Sequence, residues 1–147
     1  INFLKDKMSK FELNLTNYLV LSIPIFLITG PFLSDLALSL SSLIFLIFTI
    51  RKKKFEIFKD KYFIIFIIFY LLILISVFLS KYSNEILIKN IFYFRFGIFI
   101  LVIKYLIYTK NNFIENISKV IVTLFVLLFI DSLFQLIFGK NILGFVH

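Results

Sequence analysis

The sequence predicts an all-α, polytopic membrane protein with about five transmembrane helices, and three observations carry that expectation. The 147-residue chain is 61% hydrophobic and only 16% charged, with a mean hydropathy of +1.06. An average soluble domain is about 45–50% apolar and about 25% charged, so a soluble fold of this size could not hide the excess. The apolar residues also fall into five runs, each near the ~20 residues that a helix needs to cross the hydrocarbon core. Lys and Arg cluster between these runs, where the positive-inside rule places them. Collagen, coiled coil, disorder and a soluble enzyme domain are excluded.

The first expected span covers 13–30, through Tyr18, Ser22 and Pro24, and the second covers 31–50 with almost no loop between them. Gly30-Pro31 supplies the turn, because Gly permits unusual dihedrals and Pro disfavours helix in the residue before it. Ser34 is then the expected N-cap of the second helix, with Asp35 acidic in its first turn. Two helices joined so tightly must run antiparallel. Asn14, Thr16 and Asn17 soften the start of the first span. Arg51-Lys52-Lys53-Lys54 stops the second abruptly, and the segment to Lys61 holds six basic residues. The third span, 62–79, is nearly unbroken Ile, Phe and Leu. A polar loop over 80–90 leads to the fourth, 91–108, which contains Arg95 and Lys104. A connector over 109–117 leads to the fifth, 118–139, which contains Asp131 and Gln135. The whole chain reads as one transmembrane helical domain.

Basic residues near the span ends set the orientation. Lys5, Lys7, Lys10, the six of the loop from Arg51 to Lys61, Lys104, Lys110 and Lys119 fall on one side. Lys81, Lys89 and Lys140 fall on the other. Twelve against three predicts an N-terminus inside and a C-terminus outside. The Arg51–Lys54 run is read as a topology signal against anionic lipid headgroups. A formal charge of +8 therefore points to membrane lipids as partners and not to nucleic acid. With no Cys and one His, His147, disulfides, thiol chemistry and Cys- or His-cluster metal sites drop out. The chain opens at Ile1 and is still apolar at Phe145 and Val146, so it reads as part of a longer protein.

Polar groups inside the spans are the candidate functional residues, since a central charge costs roughly 2.5–3.5 kcal/mol on insertion scales. Asp131 lies ~4.5 Å beyond the middle of the fifth span, with Gln135 one turn further on the same face. They line a polar cavity or form a structural hydrogen-bonded pair. Arg95 lies at similar depth and has three readings: snorkelling to the outer headgroups, a structural pair with Asp131, or anion binding. Both residues stand fourteen positions from the connector, ~21 Å along antiparallel helices, so the register favours Arg95 facing Asp131. Asp35, at the start of the second span, joins them as a helix-cap or functional group. Lys104 reads as snorkelling inward, and Ala37 and Ser41 as close helix packing. No metal-ligand spacing, phosphate-binding glycine loop or nucleophile–base pair is present.

The stretch from Asp131 and Gln135 through Gly139, Asn141 and Gly144 resembles the part of the O-antigen ligase/polymerase family that leads into its extracytoplasmic section. There an Asp and a Gln on a late span run into a Gly-x-Asn-x-x-Gly exit. Arg95-Phe96, and the hairpin with Gly30-Pro31, Ser34 and Asp35, are similar to that family's N-terminal half. The resemblance implies a multi-pass bacterial inner-membrane glycosyltransferase. Its substrate would be glycan on an undecaprenyl-diphosphate carrier, with lipid A–core or growing glycan as acceptor, in lipopolysaccharide and polysaccharide synthesis. It implies no metal or nucleotide cofactor. It also places the family's catalytic Arg and His further along, so no catalytic residue is assigned here and His147 has no counterpart. Arg95 becomes the candidate diphosphate contact, supported by Asp35, Asp131 and Gln135. A fragment of a transporter or lipid-linked sugar flippase is the alternative, and a noncatalytic membrane subunit is a third reading.

Overall fold

In the computed structural model, five α-helices and one short 3-10 helix form among the described residues, which are 8–79 and 90–139. Lys5, Lys7, Lys81, Lys89, most of the expected 80–90 loop and the tail from Lys140, with Asn141, Gly144 and His147, lie outside them. The helices are α1 (Lys10–Thr29), α2 (Pro31–Arg51), α3 (Lys61–Phe78), α4 (Phe94–Thr109) and α5 (Phe113–Phe138). The 3-10 helix, Phe55–Lys59, joins α2 to α3. Four of these, α1, α2, α3 and α5, are long and apolar enough to cross a membrane. The chain is a multi-pass α-helical membrane protein.

α1 starts three residues earlier than expected because Ser9 and Glu12 form a capping box. The Ser9 N–H donates to Glu12 Oε2 at 3.0 Å, and the Glu12 N–H donates to Ser9 Oγ at 3.2 Å. The hairpin turn falls on a single residue. Gly30, at φ 147° and ψ 159°, occupies a region open to Gly and strained for other residues. Pro31 takes the first position of α2, where its missing N–H costs nothing. Ser34 is therefore not the cap. It sits in the fourth position of the helix, with its hydroxyl donating to the Pro31 carbonyl at 2.9 Å, and Asp35 falls in the second turn instead of the first.

α4 begins at Phe94, three residues later than expected. Three i→i−3 bonds, from Tyr93 to Asn90, Arg95 to Phe92 and Phe96 to Tyr93, tighten its entry. The Tyr70 hydroxyl also donates to the Ile91 carbonyl at 3.3 Å, drawing it toward α3. At 16 residues, α4 is ~24 Å long, short of a full hydrocarbon thickness.

α2 is the centre of the bundle. Its buried face alternates small and large, with Ser34, Ala37, Ser41 and Thr49 beside Phe45 and Phe48. Lipid tails are as apolar as Leu, so close packing over small residues has to supply what the hydrophobic effect does not. α1 lies along α2, and α4 packs between α2 and α3. Phe45, Phe48 and the wholly buried Tyr105 of α4 form a ring triangle with centroids 5.5–6.2 Å apart. The Tyr105 hydroxyl accepts from the Met8 N–H at 2.8 Å. α5 docks chiefly on α1, and Phe113 is its one buried residue among those described.

Candidate functional site

Polar side chains gather at two levels: a turn end near Gly30-Pro31 and a basic end near Arg51–Lys61. α4 spans both, and each of its two cations finds an aspartate on a neighbouring helix. At the basic end Lys104 pairs with Asp60, which also N-caps α3 by accepting from the Tyr62 N–H at 3.0 Å. The Lys104 ammonium lies 5.4 Å from the Tyr62 ring centre. Lys104 is thus tied to a partner at its own end and does not simply extend to headgroups. Arg51 closes the hairpin at the same level, donating to both Glu12 carboxylate oxygens at 2.8 and 3.0 Å.

The turn end carries the more unusual group. Arg95 enters α4 in its first turn, with its side chain 31% exposed. Its Nη2 donates to Asp35 Oδ1, and its Nη1 donates to Ser39 Oγ at 3.0 Å. The Ser42 hydroxyl donates to the Arg95 carbonyl at 3.3 Å. Asp35, Ser39 and Ser42 follow i, i+4, i+7 spacing, so one stripe of α2 receives both the side chain and the backbone of Arg95. Phe96 flanks the guanidinium, its ring centre 5.4 Å from Cζ. The buried Nε has no hydrogen-bond partner among the described residues. On another face of the same turn, Gly97 allows α4 to lie close to α3: a Cβ there would overlap the Phe66 ring.

Beside this cluster lies an open cleft of about 620 Å³, walled by Ile23 and Leu27 of α1, Phe32, Asp35 and Leu38 of α2, and Phe96. Its walls are apolar apart from Asp35 and Ser34. Asp35 lines the cleft and Arg95 stands behind it. The arrangement can hold an elongated apolar group and present a half-buried cation, presently neutralised, at one edge.

Two of the four candidate residues, Asp35 and Arg95, are therefore brought together. The expected pairing of Arg95 with Asp131 is corrected, because Arg95 is taken up by Asp35 and Ser39. The expected connector over 109–117 is corrected as well: α4 runs to Thr109 and α5 already starts at Phe113, so Asp131 stands about one helical turn, ~6 Å, further from the connection than Arg95 does. α4 turns its Arg95 face toward α2, while α5 packs on α1 and meets α4 only marginally. Asp131 instead accepts from Gln135 Nε2 at 2.9 Å, one turn along its own helix. Ser39, Ser42, Phe96 and Asp60 were not legible as partners. The 35–39–42 spacing was visible in the sequence, but nothing there said which helix would face it. Among the described residues no three His, Cys, Asp or Glu are placed to hold a metal ion.

Fold and site together define a multi-pass α-helical membrane protein with a paired arginine beside an apolar cleft. No protein-family model, curated protein or solved structure matches the chain.

Proposed function

We propose that this chain is the N-terminal membrane part of a bacterial inner-membrane glycosyltransferase. The protein would transfer or polymerise glycan from an undecaprenyl-diphosphate carrier during cell-surface polysaccharide synthesis, with lipid A–core or growing glycan as acceptor. The supporting observation is the half-buried Arg95 guanidinium beside the apolar cleft. Such a carrier has two chemical parts with opposite needs. The polyprenyl chain needs apolar walls at membrane depth, and Ile23, Leu27, Phe32 and Leu38 provide them. The diphosphate needs a cation where those walls end, and a guanidinium fork matches phosphate oxygens with paired donors.

Transfer moves the sugar from the diphosphate oxygen to an acceptor hydroxyl. The anomeric C–O bond to the carrier breaks, a new one to the acceptor forms, and the hydroxyl proton is taken by a base. In this reading the residues described here bind and orient the carrier, and none of them is assigned to handle the proton.

The test is complementation with the full-length protein. Arg95→Ala should lower surface glycan by about tenfold or more at unchanged protein level, equivalent to at least ~1.4 kcal/mol. Arg95→Lys, which keeps the charge but loses the fork, should fall between. Full transfer by Arg95→Ala contradicts the reading. Lipid-linked sugar stranded on the cytoplasmic side in that variant would point to a flippase instead.

A further inference from the structure

The order of the groups at the turn end has its own consequence. Asp35 lines the cleft and Arg95 lies behind it, so anything in the cleft meets a carboxylate before the guanidinium. A carboxylate and a phosphate present the same pair of oxygens to an arginine fork. Asp35 is also the more exposed partner, at 46% against 31% for Arg95, so it can return to water more cheaply than the cation can be left alone. Unpaired, a half-buried cation is costly, and a resident carboxylate relieves that cost while the site is empty. Ser39 holds the other guanidinium nitrogen from the same helix, and this keeps Arg95 in place when Asp35 leaves. The Nε hydrogen has no partner among the described residues, so one donor stays unsatisfied while Asp35 is the occupant.

We infer that Asp35 is a displaceable internal anion: it fills the seat at Arg95 in the empty site and yields it to the anionic headgroup of an apolar-tailed ligand. This rests on the proposed role of Arg95 and assigns Asp35 the opposite role to a positioning residue, because it competes with the ligand. A ligand of higher negative charge, such as a diphosphate, exchanges with it favourably. A neutral headgroup gains nothing from the exchange.

Equilibrium binding to the full-length protein in nanodiscs tests this with three probes: farnesyl diphosphate, inorganic diphosphate and farnesol. Farnesyl diphosphate should bind the wild type more tightly than either part alone. Asp35→Asn should tighten it about tenfold, which corresponds to ~1.4 kcal/mol. Arg95→Ala should abolish that preference. If Asp35→Asn binds equally or more weakly while Arg95→Ala is impaired, the displacement idea is wrong and the role of Arg95 stands. If Arg95→Ala binds like wild type, both fall. Should Asp35→Asn fail to fold, wild-type protein carrying ¹³C-carboxyl aspartate serves instead. The Asp35 resonance should move on saturation with farnesyl diphosphate but not with farnesol, and an unmoved resonance overturns the inference.

Discussion

Arg95 carries two roles that are separable by measurement, a contact within the fold and a contact with ligand. As a fold contact it should couple to Asp35 and not to Asp131. In double-mutant cycles on unfolding in detergent, the Arg95–Asp35 pair should show a coupling of about 0.5–3 kcal/mol. The Arg95–Asp131 pair should be additive within ~0.5 kcal/mol. A larger coupling to Asp131 would restore the sequence-based pairing. The distance of Arg95 from the end of α4 at Thr109 was legible in the sequence, because helical rise is fixed. The sequence left the azimuth of Arg95 open, because every neighbouring position on α4 is apolar and no stripe declares which side meets α2. The mutual burial of Ala37 and Ser41, by contrast, was readable from their four-residue spacing, and the structure buries both completely.

The helices divide by how much of their ends the sequence declared. The Gly30-Pro31 turn was legible because two residues with opposed backbone demands stand side by side. Gly30→Ala should cost about 1–3 kcal/mol, since alanine must adopt a sparsely populated φ there; a cost near zero in a thermal unfolding series would mean that the turn is not held as described. The start of α1 was missed although Ser9 and Glu12 have capping-box spacing, because the polar Asn14, Thr16 and Asn17 blurred the hydropathy edge. Ser9→Ala should cost about 1 kcal/mol. Gly97 was invisible as a contact point, since a lone glycine in an apolar run gives no hint of what crosses it. With Phe66 stacked on Tyr70 at 6.0 Å, the ring has little freedom to give way. Gly97→Ala should destabilise by about 1–3 kcal/mol through overpacking. A neutral effect would show that α3 and α4 do not approach this closely.

Across the molecule, an apolar surface surrounds a narrow buried seam of small residues and aromatic rings. Most large hydrophobic side chains of α3 and α5 face outward, as expected where lipid is the solvent and buried polar groups must find partners within the protein. The five helices and their polar interruptions were legible because hydropathy and length constrain a membrane chain strongly. Their packing order was not, because α4 packs chiefly on α2 and α5 chiefly on α1, so the main partners of these two helices are not their neighbours in sequence. The proposed function requires that the turn end, with Asp35 and Arg95, face the extracytoplasmic side while the basic end faces the cytoplasm, which is the orientation the placement of Lys and Arg predicts. The chain contains no Cys, and Leu33 is exposed beside the turn, so a Leu33→Cys variant reports on that end alone. A membrane-impermeant maleimide should label it in cells whose outer barrier is opened but whose inner membrane is intact. Labelling only after the inner membrane is breached would place the site on the cytoplasmic side and contradict the account.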